Sequence, residues 1–426
     1  MGIPNTAPCP RLHYGWVVLG LSVIIVCGAI GLARFGYSVV LPAMQVGLDI
    51  GNAQAGILAT ANLAGYLALS VIGGALASRF GPRLVITVGL TVAGAGMLMT
   101  GLASGLGSAV AWRAVTGLGS GASNVPVMGL LAAWFAKRRR GFATGIGVAG
   151  SSVALIVAGW VAPLVLNAFG DRGWRVCWLL FGGIALMLAI VAAICLRNSP
   201  AELGLAPIGA ARDSAPPAPR AGGLEWGRVY QAPRVWHLGA VYFLFGFAYI
   251  IYMTFFVKGL ICDGGYTRNQ ASHLFMVMGW ASLPCGLIWG GISDVIGRRR
   301  ALMISYLNHA IAYTLFACCH TVAGFATSAI LFGLSAWSVP AIMAATCGDV
   351  LGSRMAPAAL GFVTLFFGIG QALGPVVAGF MADVTGSFAS AFLLAAGVAS
   401  AGALGAGLLR PDGSVVQGEG SYGRQA

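Results

Sequence analysis

"GGISDVIGRR" (290–299) lies between two long uncharged runs, and 216 residues earlier "GALASRFGPR" (74–83) lies between two more. Other segments repeat at nearly the same offset. "GLARFGY" (31–37) is echoed by "GFAYIIY" (246–252) at 215, and "GSGASNVP" (119–126) by "GLSAWSVP" (333–340) at 214. Offsets this constant predict a chain made of two successive versions of one unit.

Composition says what the unit is. Only 8% of the 426 residues are charged and 58% are hydrophobic. Mean hydropathy is +0.87. A soluble domain carries roughly 25% charged residues, so this is an integral membrane protein. The 65 glycines suit helices that touch backbone to backbone in lipid. Uncharged runs of about 20 residues predict twelve spans, at 16–40, 54–77, 84–104, 108–135, 142–168, 174–196, 237–257, 271–292, 301–320, 324–347, 358–382 and 387–409. Residues 197–235 form a polar linker containing "SAPPAPRAGG". The expected organisation is an N-terminal six-helix bundle (1–196), a linker (197–235) and a C-terminal six-helix bundle with a short tail (236–426).

Lys and Arg set the expected orientation. With the N-terminus inside, eighteen of the 24 fall on inner loops, linker and tails, and four on outer loops. Arg34 and Arg113 remain within spans. Both termini are therefore expected in the cytoplasm, with the chain in the inner membrane. The net charge of +13 is a topology signal, and basic residues scattered over inner loops do not read as a nucleic-acid surface. The first apolar run reads as a retained span, since no clear cleavage site follows it. The cysteines show neither a disulfide framework nor a CxxC metal pattern. There is no Walker loop and no catalytic triad, which disfavours ATP-driven transport and enzymatic activity. No cofactor and no metal is expected.

The pattern Gly-x-x-x-Asp-x-x-Gly-Arg at Gly290, Asp294, Gly297 and Arg298 resembles motif A of the major facilitator superfamily. Its first-half counterpart keeps Gly74, Arg79, Gly81 and Arg83 but has Ser78 in place of the acid. Arg113 to Gly117 looks like the superfamily's "RxxxG" segment, "GIGVAGSS" (145–152) like its Gly-rich motif without the usual Pro, and "GIGQALGP" (368–375) lies in the eleventh span. "ARFGYSVVLPAM" and the late "GDVLGSRMAPAALGFVTLFFGIGQALGP" resemble the YbfB-type branch. "WVVLGLSV" and "NSPAELGLAP" are similar to monocarboxylate and oxalate–formate carriers. The resemblance implies an all-α membrane fold of two six-helix pseudo-repeats. It also implies alternating access around a central cavity, often coupled to a proton or counter-ion.

Arg34 is the residue hardest to explain as packing. A buried arginine in a span costs ~2.5–3.5 kcal/mol on insertion scales. Gly28, Gly31 and Gly36 lie around it, so the helix is expected to be thinned or bent there. Related drug antiporters carry an acid at about this depth; here the sign is reversed. One reading is an anion-binding arginine, which holds a carboxylate through two parallel hydrogen bonds. The other is an arginine that snorkels outward or bonds free carbonyls beside the glycines. Arg113 lies about six residues into the fourth span. The resemblance gives it a part in coupling or gating, against snorkelling to the interface.

The acids argue by position: none of the eleven falls at mid-membrane. A carrier of cations would need one there, so the cavity is expected to be electropositive. His309 is the mid-span candidate for carrying a proton, against ordinary packing. A proton arriving with the acid, or anion exchange, needs no such group. Tyr37, Tyr66, Asn124, Tyr249, Tyr252, Trp337 and Gln371 are the expected substrate-binding partners of Arg34. The repeat aligns Arg34 with Tyr249 and Tyr37 with Tyr252. Each is otherwise helix-packing glue. Arg79, Arg83, Asp294 and Arg298 are expected to form inner-loop latches, weaker in the first half where Ser78 stands.

The function read from these residues is secondary transport of a small organic anion, a monocarboxylate among the candidates, by one copy of the chain in lipid. Proton-linked efflux of neutral amphipathic compounds is the alternative, and a transporter-like membrane sensor the third.

Overall fold

The computed structural model describes residues 13–210 and 226–409. The basic residues Arg11, Arg212, Arg220, Arg410 and Arg424, and the acids Asp213, Glu225, Asp412 and Glu419, lie outside the described residues. Among the described residues the fold is all-helical, with one isolated bridge between Phe135 and Ile208.

The long helices, in chain order, are α1 (Tyr14–Leu48), α2 (Asn52–Phe80), α3 (Pro82–Gly101), α4 (Leu106–Trp134), α5 (Lys137–Phe169) and α6 (Gly173–Cys195). After the linker come α7 (Pro233–Cys262), α8 in two limbs (Arg268–Ser282 and Cys285–Ile296), α9 (Arg298–Cys318), α10 (Val322–Ser335), α11 (Ser338–Thr385) and α12 (Ala389–Gly407). Local chemistry sets where many of them begin. Pro82 and Pro233 occupy first turns, where a missing N–H costs nothing. Thr267 and Gln270 form a reciprocal cap on α8, and the Thr321 hydroxyl accepts from Gly324 at the start of α10.

Eight helical stretches are long and apolar enough to cross a membrane, or ten with the two bent pairs, where twelve spans were expected. Two reasons account for much of the difference. The stretch Arg138–Cys195 counts as one, although a turn at Gly170–Arg172 divides it into α5 and α6. Helix α4 carries Arg113, Thr116, Ser120, Ser123 and Asn124, which lower its hydropathy. The gap expected between 347 and 358 is instead helical, since α11 runs unbroken for 48 residues. A short interruption at Ala336 and Trp337 falls inside the stretch Val322–Val350, which with Ala358–Thr385 makes two of the eight, in keeping with the spans expected at 324–347 and 358–382.

Gly81 and Gly297 have nearly the same backbone, with φ 85° and 86° and ψ 142° and 150°. Both join a helix end to the next helix start at a positive φ that side chains resist. Helices α2 and α8 are bent by 44° and 43°.

Helices before and after the linker meet along α2 and α11, α5 and α8, and α1 and α7. Polar contacts cross between them at two levels. At one end Asp383 accepts from the backbone of Asn52 and Ala53, and Asn167 donates to Asn269 at 3.0 Å. Midway, the Thr60 hydroxyl donates to the Ala372 carbonyl at 2.6 Å, and the Ser282 hydroxyl to Ser152 at 2.8 Å.

Candidate functional site

The site begins with a distortion of α1. Over Cys27–Phe35 the helix widens to π geometry, a feature common at functional positions. The glycines expected to thin the helix are where neighbours press in. A Cβ on Gly31 would collide with Ala154 of α5, and one on Gly36 would crowd the Phe181 ring of α6. Arg34 projects from this widened stretch and is half-buried.

The Arg34 guanidinium lies over the Tyr66 ring at 4.3 Å. Such a cation–π contact supplies ~0.5–2 kcal/mol. Its Nε and Nη2 are buried and have no hydrogen-bond partner. The Tyr66 hydroxyl accepts from Asn124 Nδ2 at 3.1 Å. From the other half, the Tyr249 hydroxyl comes within hydrogen-bonding reach of the Arg34 side chain. It accepts from Gln371 Nε2 at 2.8 Å, and its ring stacks on Phe245 at 5.0 Å. Close backbone packing aligns these groups. A Cβ on Gly117 would strike the Asn62 carbonyl, locking α4 to α2, and one on Gly246 would strike that of Phe367, locking α7 to α11.

Arg113 meets the same place from α4. It is 1% exposed, so it does not snorkel. Its Nη1 donates to the Ala33 carbonyl at 2.6 Å. Its guanidinium lies 4.8 Å from the Tyr37 ring and 4.9 Å from the Trp178 ring, and its Nε is buried without a partner. A small pocket between the halves is lined by Arg34, Tyr37 and Arg113 from the first and by Ile250, Met253 and Thr254 from the second. Phe35, Ala59 and Leu63 complete the wall. It is tight, with room for about one water molecule. No Asp or Glu is in its lining.

Of the expected binding residues, Arg34 and Tyr37 line this pocket; Tyr66, Asn124, Tyr249 and Gln371 gather beside Arg34 outside its lining, and Tyr252 and Trp337 are elsewhere. The Tyr252 hydroxyl pairs with Ser328 at 2.6 Å, and its ring packs against Tyr313 and Phe332 within the second half. Tyr37, aligned with it by sequence, behaves alike: its hydroxyl is spent on the Ala55 carbonyl at 2.8 Å, although the residue lines the pocket. Trp337 stands one ring away. Its indole N–H donates to Ser152 across the halves at 2.9 Å, and its ring lies 5.6 Å from Phe35.

His309 is also away from the pocket. It is buried among Phe245, Tyr313 and Phe332, with Nδ1 bonded to the Ser305 carbonyl at 2.7 Å. At the loops, Arg298 bonds Asp294, Ser293 and Asp349, all in its own half. Arg83 bonds the Ala193 carbonyl, also in its own half. Arg79 is exposed, over the Phe80 ring at 5.2 Å. Ser78, in the acid's place, turns back to the Gly74 carbonyl at 2.9 Å.

Asp349, Asp383 and the wall residues Met253 and Thr254 were not among the expected site residues. Ile250, Met253 and Thr254 share one helix face at spacings of three and four, a signal that the Tyr37–Tyr252 pairing overshadowed.

Two groups of long apolar helices thus pack around a pocket lined by two arginines. The family model "Uncharacterised MFS-type transporter YbfB" matches residues 26–406, so the chain belongs to this family of the major facilitator superfamily. Similar proteins include "Probable sulfoacetate transporter SauU" of Cupriavidus necator, 25% identical over 89% of this chain and 90% of that one. The hexuronate transporter of Bacillus subtilis is 24% identical over 86% and 88%. Monocarboxylate transporter 3 of Rattus norvegicus is 28% identical over 91% and 78%. Among solved structures, a bacterial homologue of the human lysosomal transporter Spinster, inward-facing and unoccupied, shares the fold. Its TM-score is 0.71 at 16% identity, over 93% of this chain and 95% of that one.

Proposed function

We propose that the chain moves a small organic anion, a monocarboxylate among the candidates, across the cytoplasmic membrane by alternating access between two halves. The halves are residues 1–196 and 236–426, each with six membrane-crossing helices, joined by the linker 197–235. The matched backbones of Gly81 and Gly297, the like bends of α2 and α8, and the meeting of repeat-paired Arg34 and Tyr249 support this division. The bias of basic residues supports cytoplasmic termini. One copy in lipid is the working unit.

One observation carries the substrate reading: Arg34, which lines the pocket between the halves, has two buried guanidinium nitrogens without partners, and no carboxylate lines that pocket. A buried donor left unpaired costs ~1–3 kcal/mol, and an incoming carboxylate relieves that cost by accepting both. The named relatives are carriers of organic acids, which favours the same class. Anion exchange is the coupling mode this lining favours, since neither an acid nor His309 is in it.

Ligand-induced thermal shift with short organic acids tests the reading on purified protein. Arg34→Lys keeps the charge without the planar fork and should bind about tenfold more weakly. Arg34→Gln should fold and lose most of the binding. Unchanged affinity in Arg34→Gln would make the arginine structural. Stabilisation by neutral amphipathic compounds, with none by acids, would favour efflux instead. Counterflow in proteoliposomes distinguishes a carrier from a sensor.

A further inference from the structure

We propose that the pocket takes a dianion, a short acid with two anionic groups such as a dicarboxylate or sulfocarboxylate, with Arg34 holding one group and Arg113 the other. This rests on the reading of Arg34 as an anion site and narrows it.

Arg34 and Arg113 both line one small pocket. They are set on adjoining points of α1, because the carbonyl that Arg113 grips belongs to Ala33, the residue before Arg34. Arg113 is fully inside the protein. The Tyr37 and Trp178 rings hold its plane, which fixes the direction of its remaining donors. Its Nε has no partner, and neither do Nε and Nη2 of Arg34.

Two like charges in a poorly solvated space repel each other and are held there at a cost. A monoanion neutralises one and leaves the other exposed to the same penalty. A dianion neutralises both and gives each guanidinium an acceptor. As it stands the pocket holds about one water molecule, so the acid enters only when the two halves part, and a short acid asks the least of that opening. The relatives named above do not decide this, because sulfoacetate carries two charges while hexuronate and monocarboxylates carry one.

Malonate and its half-amide, malonamate, have the same length and shape but differ by one charge. Binding of each to the purified full chain is measured by thermal shift and calorimetry, at constant ionic strength and a pH above both malonate ionisations. Malonate should bind at least about tenfold more tightly than malonamate, the worth of one further charged hydrogen-bonded contact. Arg113→Gln should bring malonate down to the malonamate level and leave malonamate nearly unchanged, whereas Arg34→Gln should weaken both. Equal binding of the two probes to wild type overturns the proposal without any variant, so a poorly folding Arg113→Gln does not shelter it. Equal loss of both probes in Arg113→Gln also overturns it, making Arg113 a support for α1. If Arg34→Gln leaves both probes bound, the anion site itself has been misread.

Discussion

The Asp383 carboxylate caps the helix that starts at Asn52, accepting from the backbone N–H of Asn52 at 3.0 Å and of Ala53 at 2.8 Å. The partners lie 331 and 330 residues apart, so the contact ties α11 to α2 across the two halves. The first N–H groups of a helix have no internal acceptor and carry partial positive charge. Gly51, at the cap position, has no side chain to supply one. Below the contact the helices touch closely, since a Cβ on Gly56 would strike the Pro375 carbonyl. This end of the pocket is closed by packing with a polar clasp over it.

Asp383→Ala should therefore weaken the closed end by about 1 kcal/mol, roughly fivefold in the ratio of open to closed forms. A cysteine placed at Leu63, a pocket-wall position, reports this in a background without other reactive thiols. It should react faster with an impermeant thiol reagent in the Asp383→Ala protein. An unchanged rate would assign the closure to apolar packing alone.

The Arg298 cluster calls for a different experiment. Asp294 and Asp349 side chains are 66% and 45% exposed, and ion pairs in such settings contribute ~0–1 kcal/mol. Asp294→Asn should slow transport with little change in ligand affinity, because the pocket is distant and Asp349 still holds Arg298. Asp294→Asn with Asp349→Asn should slow it further. Loss of ligand binding in a folded single variant would show that the loop reaches the site.

His309 should be dispensable for coupling. A charge on this ring would be enclosed by Phe245, Tyr313 and Phe332, with the Ser305 carbonyl as its hydrogen-bond partner, and a buried charge without a counter-ion is expensive. His309→Asn should leave the pH profile of transport where it was, with a stability loss of about 1–3 kcal/mol from the altered packing. A displaced pH profile in proteoliposomes would return His309 to the mechanism.

Sidedness can be read from a native thiol. Cys262 ends α7 and is exposed. In intact cells it should react with an impermeant thiol reagent, while a tag after Ala426 stays protected. The reverse pattern would invert the proposed orientation.

Helices and pocket charge were legible in the sequence to different depths. In lipid each helix must satisfy its own backbone, so a span leaves a continuous apolar run whatever its neighbours, and runs such as 237–257 fall inside helices such as Pro233–Cys262. The absence of mid-span acids was equally plain, because it is a matter of counting. Gly81 and Gly297 stood out as a pair because a positive φ excludes most other residues.

Direction around each helix was not legible. A membrane helix is apolar on the lipid face and on the packed face, so its pattern does not mark which side looks inward. Tyr37 and Tyr252 looked as good as Tyr66 and Tyr249 on that basis. Only packing turned the latter pair toward Arg34 and spent the former pair's hydroxyls on Ala55 and Ser328. The same holds for partners far apart in sequence. Asp349 and Asp383 were visible as charges at the ends of expected spans, but their bonds to Arg298 and to the start of α2 exist only because α11 lies against those elements. Sequence determined which groups this protein brings into the membrane, through the cost of putting them there. Tertiary structure decided which of those groups face one another, because that depends on the rotation and contact of helices whose surfaces lipid leaves chemically alike.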